Sequence, residues 1–287
     1  MIIADGLGDG RRVVDRGKIG FGVLSWRGYD SLANSLESYE RQRLLDLFDE
    51  KVLFLPEAGL RGIELARRYG LQEKTTPNNL GILGGFKALA SAMNSPIVLL
   101  AENDHPLVED RQEAERQINI AAHYIERGAA HVWRFRHRFI LSHITESRPY
   151  KSERYWPRAD ASRSIHFAAR LRRWIRPGKA SSLAGWTIFT SDDADKRFPR
   201  DIRLTPEGDY LVRSRCFPWC NNAFMVRRDF FLKTIIAESE AAIQGRLVNG
   251  FPTIETEINR RFWKRGDFWT GIGRGLFAHD RLESRGY

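Results

Sequence analysis

The sequence predicts an α/β fold in which a mostly parallel β-sheet carries helices on both faces. Short apolar runs, typical of buried strands, alternate with longer segments whose apolar residues recur at helical spacing. The elements of the first half follow the order β-α-β-α-α-β, and this alternation is typical of parallel sheets. With 287 residues, the chain is long enough for one large domain with an ample core.

The first half of the chain contains the clearest elements. Its predicted strands are KIGFGVLSW (18–26), KVLFLPEA (51–58) and SPIVLLAEND (95–104). Pro56 ends the second strand because proline cannot donate a ladder hydrogen bond. Asp30 or Ser31 is the predicted amino-terminal cap of the first helix. Helical spacing predicts helices at 28–48, 61–71, 86–94 and 111–128.

The second half is less regular. Residues 134–177 are rich in arginine, and we expect loops there with one short helix around HFAARLRRWI. Further on we predict a strand at GWTIFT (185–190), then a loop at 216–222 between YLVRSRCF and NAFMVRRDFF, and helices at about 229–244 and 253–263. No clear linker occurs, so we predict a single domain over 1–287, with halves at 18–128 and 181–287 and an Arg-rich insertion at 129–180.

Bulk composition excludes several classes of protein. Hydrophobic residues make up 42% and charged residues 29% of the chain, which is ordinary for a globular protein and unlike a disordered one. No segment approaches the roughly 18 apolar residues of a membrane-spanning helix. The amino terminus lacks the long apolar centre of a signal peptide. Cys216 and Cys220 are too few for a disulfide framework, so we expect a cytoplasmic protein.

The net charge of +10 is concentrated in one stretch. Between Arg134 and Arg176 there are twelve Lys or Arg residues against three acids, Glu146, Glu153 and Asp160. This stretch predicts an anionic partner: a phosphorylated or lipid-linked substrate, an anionic membrane surface, or nucleic acid. A solvated surface without a specific partner is the alternative.

Carboxylates stand at the end of the third predicted strand, in VLLAENDHPL. Glu102 and Asp104 directly follow an aliphatic run, and desolvating an unpaired carboxylate costs several kcal/mol. A bound Mg²⁺ or Mn²⁺ would compensate, with a nucleotide diphosphate completing its shell of oxygen ligands. A helix cap followed by a solvated turn is the alternative reading. The literal Asp-x-Asp at 193–195 competes for the same metal role.

Polar residues also follow the first two predicted strands. Ser25, Trp26 and Arg27 come after the first, and Glu57 comes after the second. Open α/β sheets bind ligands at the carboxyl ends of their strands. We therefore expect these side chains to lie with Glu102 at the ligand-binding edge of the sheet.

The order of several short motifs resembles that of the family-2 glycosyltransferases, which have the A-type, Rossmann-like nucleotide-diphospho-sugar transferase fold. The motifs are VLSWRGYDSLANSLESY, NNLGILGGFKALASAMNSPIVLLAEND, WCNNAFMVRRDFF and FPTIETEINRRFW. The resemblance covers most of residues 18–280, except the Arg-rich insertion. The acidic motif departs from the family pattern, because it reads Glu-Asn-Asp rather than Asp-x-Asp.

This resemblance implies a transferase that takes a sugar from a nucleotide diphosphate donor. Ser25 and Arg27 would lie beside the nucleotide, and Glu57 would lie near its base. The donor-binding residues that the resemblance implies are Ser25, Arg27, Glu57, Asn79, Gly81, Glu102 and Asn103. The metal ligands are Asp104, in the acidic motif, and the late His279, which would together hold Mn²⁺ or Mg²⁺.

Inverting members of the family place a carboxylate at the start of a late helix, where it takes the proton of the acceptor hydroxyl. In FPTIETEIN the matching residue is Glu255, with Glu257 as the reserve. Residues two apart on a helix point in roughly opposite directions, so only one of them is the base. A stabilising first-turn acid is the alternative reading of Glu255.

The acceptor site is predicted around the loop at 216–222. Sugar rings stack on indole rings, although most tryptophans are core residues. Trp219 is favoured as an acceptor-binding residue because Asn221 and Asn222 accompany it in the loop.

From these inferences together we expect a metal-dependent, inverting, non-processive glycosyltransferase. No QxxRW motif of a processive synthase is found. The acceptor of the expected transferase would be a saccharide or lipid-linked saccharide in surface polysaccharide synthesis. The basic stretch would hold an anionic acceptor or dock the enzyme peripherally on the inner face of the membrane. A nucleic-acid-binding protein without catalysis is the alternative, supported by arginines interleaved with aromatic residues. A sugar nucleotidyltransferase is a further alternative, but its amino-terminal Gly- and Lys-rich loop is missing.

Overall fold

The computed structural model describes residues 17–140, 147–242, 245 and 247–283 of the chain. This part contains nine strands that form one sheet. The strands are β1 Ile19–Leu24, β2 Glu50–Pro56, β3 Gln72–Thr76, β4 Ile97–Glu102, β5 Val132–Arg136, β6 Ile202–Leu204, β7 Tyr210–Arg213, β8 Phe224–Arg227 and β9 Trp269–Phe277. Their order across the sheet is β3-β2-β1-β4-β8-β5-β9-β7-β6.

Helices cover both faces of this sheet. They are α1 Tyr29–Arg41, α2 Leu60–Arg68, α3 Gly81–Ser91, α4 Arg111–Glu126, α5 Ser147–Glu153, α6 Arg163–Ile175, α7 Pro177–Ala184, α8 Ala194–Arg197, α9 Arg228–Phe230, α10 Ala237–Ala241, α11 Ile254–Ile258 and α12 Phe262–Arg265. Two 3₁₀ helices, Leu44–Leu47 and Gly185–Phe189, and a π-helical segment, Phe231–Ile236, complete the set.

The predicted α/β class is confirmed, with one change to the sheet. Strands β3, β2, β1 and β4 are parallel, as the order of elements predicts. The sheet then becomes mixed, because β8 runs antiparallel to both β4 and β5, and β7 runs antiparallel to β6 and β9. "Mostly parallel" therefore describes only the half of the sheet that the first half of the chain builds.

Alternation along the central strands divides the core into two layers. On β4, Leu99 faces the layer that α1, α2 and α4 cover, and Leu100 faces the layer that α3 and α11 cover. Successive side chains of a strand point to opposite faces, so a continuous aliphatic run is needed when both faces are buried. This explains why VLLA in β4 carries no polar residue.

The Arg-rich insertion is more regular than predicted. Residues 129–180 contain strand β5 and helices α5 and α6, and α7 begins there; only α6 matches the predicted short helix. The predicted strand at GWTIFT is wrong, because these residues form a 3₁₀ helix that continues from α7. Gly185 packs there against the carbonyl oxygen of Cys216, and Trp186 and Ile188 enter a third core cluster with Phe217.

Four strands and one cap also differ from prediction. The polar β3, the central β5, the short β6 and the Gly-rich β9 were not predicted, and residues 253–263 form two short helices rather than one. The cap of α1 is Gly28 rather than Asp30 or Ser31. The Glu283 carboxylate accepts hydrogen bonds from the backbone N–H groups of Asp30 (3.1 Å) and Ser31 (3.0 Å), which gives the first turn its anionic partner.

Within the described ranges, no helix combines the length and the apolar character needed to cross a bilayer.

Replacing Gly271 with Ala tests how β9 fits the sheet. A Cβ atom at Gly271 would overlap the ring of the buried Trp133 on β5, because the two strands are neighbours. We expect Gly271→Ala to lower the free energy of unfolding by about 1–3 kcal/mol in urea titrations. The matched control is Gly178→Ala in α7, where a Cβ meets no atom. Equal stability of the two variants would contradict this packing.

Candidate active site

The Glu-Asn-Asp turn after β4 is buried and held by α1. Asn103, Asp104 and His105 are at most 1% exposed. The Ser35 hydroxyl donates to the carbonyl oxygen of Asn103 (2.8 Å), and the Tyr39 hydroxyl donates to that of His105 (2.7 Å). The Asn103 amide donates to the carbonyl oxygen of Gly28 (2.8 Å). Asn103, predicted to bind the donor, thus fastens the turn to the loop before α1.

The Asp104 carboxylate is neutralised by the segment after β9. Arg281 donates from Nε to Asp104 Oδ2 at 3.0 Å, and its Nη2 lies at the same distance. The backbone N–H of Asp280 donates to the carbonyl oxygen of Asp104 (2.9 Å), and His279 Nε2 lies 3.4 Å from Oδ2. This two-nitrogen guanidinium contact offsets part of the cost of burying the carboxylate.

Asp104, His105 and His279 are the one group of three within the described residues whose ligand atoms lie close enough to share a metal ion. His105 does not fit the ligand role. Its Nδ1 accepts the backbone N–H of Glu102 (3.0 Å), so a neutral ring carries its proton on Nε2. Burial lowers the pKa of His105 to about 4. The charge of Asp104 and a hydrogen bond with the Asn222 side chain act in the opposite direction and raise this pKa.

Asp104 and His279 do fit a divalent cation. His279 Nδ1 is buried and has no hydrogen-bond partner in the described part of the chain. One carboxylate and one imidazole are ligands that Mn²⁺ accepts, with donor oxygens filling the remaining positions. Arg281 already contacts the same carboxylate oxygen, so a cation would share Asp104 with the guanidinium or displace it.

A cavity of about 220 Å³ lies beside this turn. Several predicted donor-binding residues line it, together with residues from near α11. The lining residues are Leu24, Trp26, Pro56, Asn79, Gly81, Ile82, Glu102, Val248, Asn249, Phe251, Thr253 and Arg281. The structure thus brings the predicted residues Asn79, Gly81 and Glu102 together in one cavity. Arg281 lines the same cavity and was not predicted as a site residue.

Gly81 is required by the close approach of the segment before α11. Its backbone is left-handed (φ +64°), and a Cβ atom would overlap the Phe251 ring. Asn79 Oδ1 accepts the Gly81 N–H (2.9 Å), which fixes the turn. The Asn-x-Gly loop and Phe251 therefore form one wall of the cavity.

The ends of β1 and β2 meet as expected. Trp26 Nε1 donates to Glu57 Oε2 (2.8 Å), and Arg27 Nη2 lies 3.6 Å from the same oxygen. Arg27 and Glu57 both have positive φ, near 50°, which is uncommon for residues other than glycine. Ser25 is buried, and its hydroxyl donates to the carbonyl oxygen of Arg27 (3.1 Å).

Glu255 and Glu257 face different environments, as their spacing predicts. Glu255, in the first turn of α11, lines a second cavity of about 650 Å³. Its Oε1 accepts the backbone N–H of Asn221 (2.8 Å). Burial, with the nearby charge of Glu255, raises the pKa of Cys220 to about 12. Glu257 is 2% exposed, and its carboxylate lies against Gly245.

The second cavity is strongly basic, and this was not predicted. Five of its lining residues are cationic: Lys151, Lys179, Arg215, Arg260 and Lys264. Glu255 is the only acid that lines it in the described ranges. The sequence does not reveal this cluster of cations, because its members come from four separate segments and form no local run of charge.

The loop at 216–222 connects the two acidic motifs. Asn221 hydrogen bonds to Glu255, and the side chain of its neighbour Asn222 contacts His105. Trp219, however, is 3% exposed and packs edge-on against Trp263, with ring centroids 5.1 Å apart. The prediction that Trp219 stacks on an acceptor sugar is wrong for this structure, because its ring is enclosed by the core.

The competing Asp-x-Asp motif lies elsewhere. Asp193 precedes α8 and contacts Ser191 and Arg197. Among described residues no group of three metal-ligating side chains includes Asp193 or Asp195. The geometry favours the turn after β4 over this motif.

No protein-family profile and no curated protein sequence matches the chain. Solved structures do match it. One match is glucosyl-3-phosphoglycerate synthase from Mycobacterium tuberculosis, in complex with Mn²⁺, uridine diphosphate and glucosyl-3-phosphoglycerate. The match covers 93% of this chain and 73% of the synthase chain, at 11% identity and a TM-score of 0.46.

Two further matches cover a similar share of this chain. TarS (1-349) from S. aureus, in complex with UDP-GlcNAc, matches 93% of this chain at 11% identity and a TM-score of 0.46. The mannosyltransferase PcManGT from Pyrobaculum calidifontis, in complex with GDP-Man and Mn²⁺, matches 96% at 11% identity and a TM-score of 0.43. The chain spans only 60% of that TarS chain and 59% of the mannosyltransferase chain.

Metal binding can be tested without a substrate. We expect Mn²⁺ to raise the melting temperature of the wild-type protein, because a ligand of the folded state stabilises it by mass action. Asp104→Asn and His279→Ala should abolish this shift, since each removes one ligand atom.

His105→Gln is the matched control for this experiment. A glutamine oxygen can accept the Glu102 N–H in place of Nδ1, so the Mn²⁺ shift should persist. Loss of the shift in a folded His105→Gln protein would make His105 a ligand and contradict the proton assignment.

Proposed function

We propose that the protein is a glycosyltransferase that moves a sugar from a nucleotide diphosphate donor to an anionic saccharide acceptor, with inversion at the anomeric carbon. The observation that carries the proposal is the position of α11. Thr253, its amino-terminal cap, lines the smaller cavity, and Glu255 in its first turn lines the larger one. One carboxylate therefore stands between a site next to Asp104 and a site rich in cations.

The smaller cavity, with its neighbouring strand ends, is the proposed donor site. Arg281 supplies positive charge there, and the indole of Trp26 offers a face to a base or sugar. Ser25, Arg27 and Glu57 lie at the same edge, where the nucleotide would be recognised. A divalent cation held by Asp104 and His279 would offset the charge on the departing nucleoside diphosphate.

Glu255 is the proposed general base. Its Oε1 is held by the Asn221 N–H, so the carboxylate is oriented before an acceptor arrives. In the step we propose, the acceptor oxygen bonds to the anomeric carbon while the bond from that carbon to the phosphate oxygen breaks. The hydroxyl proton passes to Glu255, and the nucleoside diphosphate leaves with the electron pair. Direct displacement of this kind inverts the configuration.

The larger cavity is the proposed acceptor site. Among the described residues, Lys179, Arg260 and Lys264 form no ion pair with an acid, so their charges are available to a ligand. A phosphate or carboxylate on the acceptor would bind several of them at once. The backbone N–H of Asn221 donates to Glu255, and the side chain of Asn222 contacts His105.

The wider setting is also a proposal. Transfer of single sugars to a lipid-linked acceptor in surface polysaccharide synthesis fits a basic acceptor site. Both cysteines are free thiols, as expected for a cytoplasmic enzyme at the inner face of a membrane.

A thermal-shift screen tests the donor class. We expect one of the UDP-, GDP- or dTDP-sugars to raise the melting temperature more with Mn²⁺ than with a chelator. CMP-sugars, which carry a single phosphate, are the matched control. No response to any donor, together with salt-dependent binding of RNA or DNA, would instead favour the nucleic-acid alternative.

Glutamine variants test the base. We expect Glu255→Gln to slow release of nucleoside diphosphate by about 10²–10⁴-fold in the presence of phosphorylated or carboxylated saccharides. Its donor-induced thermal shift should remain, because Glu255 lies outside the donor cavity. Glu257→Gln should transfer normally. A reversed result would move the base to Glu257.

A further inference from the structure

Helix α6 exposes its apolar side to solvent. Phe167, Leu171, Trp174 and Ile175 are 72%, 47%, 80% and 59% exposed. Their spacing of i, i+4, i+7 and i+8 places them on one side of the helix. We call these four residues the α6 stripe. Surface helices usually turn such a stripe towards the core, so this arrangement is reversed.

Two arginines, with the buried Ala169, attach α6 to the rest of the protein. Arg173 donates to the carbonyl oxygen of Tyr155 (2.6 Å), and its guanidinium lies 4.6 Å from the centre of the Trp156 ring. Arg172 donates to the carbonyl oxygen of Arg154 (3.3 Å). These contacts fix the orientation of the helix, so the stripe faces outward because the fold holds it there.

Positive charge surrounds the α6 stripe. Residues 149–184 contain nine Lys or Arg residues and two acids, Glu153 and Asp160. Arg163, Arg170 and Arg176 are exposed, and none of them pairs with an acid in the described part of the chain. A helix with an apolar side that includes Trp, flanked by arginines, has the composition of helices that lie in a membrane interface.

We propose that α6 docks the protein on an anionic lipid bilayer, with the α6 stripe inserted at the boundary between headgroups and acyl chains. The surrounding arginines would contact lipid phosphates, because basic residues are attracted to an anionic leaflet. Charge complementarity selects this occupant over a second copy of the chain. Two copies meeting through α6 would bring two surfaces of the same sign together.

The α6 stripe also leads towards Glu255. Ile175 lines a third cavity, of about 360 Å³, together with Arg154, Arg172 and Arg176. Lys151 and Lys179 line both this cavity and the one that contains Glu255. A row of cations thus connects the docking surface to the proposed base. If the proposed function holds, an acceptor carried on an anionic lipid would reach Glu255 along this row without leaving the bilayer.

Vesicle sedimentation tests the docking surface. The full chain is mixed with vesicles of phosphatidylcholine alone, or with about 30% phosphatidylglycerol, at about 150 mM salt. We expect binding to the anionic vesicles only. Phe167→Ser/Trp174→Ser should weaken it by at least about tenfold, and Arg163→Gln/Arg170→Gln should weaken it and reduce its salt dependence. Leu60→Ser is the matched control, because Leu60 is equally exposed (81%) on α2; it should bind normally.

Three results would overturn the proposal: no binding by the wild type, equal loss in Leu60→Ser, or undiminished binding by the folded Phe167→Ser/Trp174→Ser protein. Light scattering after size exclusion adds a fourth, a wild-type dimer that this double variant dissociates. The screen of nucleotide sugars separates the two proposals. Vesicle binding without any response to a donor would contradict only the proposed glycosyltransferase function. A response to a donor without vesicle binding would contradict only the proposed docking surface.

Discussion

The charge of Asp104 is the constraint on which the site depends. A carboxylate with no solvent exposure at a strand end requires a cation, and Arg281 provides one from 177 residues further along the chain. This pairing draws the segment after β9 across the turn and brings His279 to within reach of the same carboxylate. The place of Arg281 in the wall of the smaller cavity and the approach of His279 to Asp104 both follow from this pairing.

The two halves of the sheet position different parts of the site. The parallel strands β1, β2 and β4 end together and present Ser25, Glu57 and Glu102 at one edge. The mixed half carries the loop at 216–222, whose neighbouring asparagines contact Glu255 on one side and His105 on the other. This loop sets the relative position of the two acidic motifs, although it supplies no carboxylate itself.

Sequence reasoning succeeded where the signal was local. The strand β4, the helix α4 and the opposite orientations of Glu255 and Glu257 follow from periodicity alone. It failed where partners distant in sequence decide the structure. The Gly-rich β9 is a strand because β5 and β7 flank it, and its Gly271 admits the ring of Trp133. Trp219 lies in the core because Trp263 and Phe231 enclose it, which no property of WCNN reveals. Arg281 was not predicted for the same reason.

The positions of Arg281 and Glu283 determine when two contacts of the first half can form during translation. The amino-terminal turn of α1 receives its anionic partner from Glu283, and Asp104 receives its guanidinium from Arg281. Residues 17–128 emerge first and contain most of the parallel sheet, yet both of these contacts wait for the last part of the described chain. After residues 17–128 have been made, the first turn of α1 and the Asp104 carboxylate therefore stay without these partners until synthesis has passed residue 283.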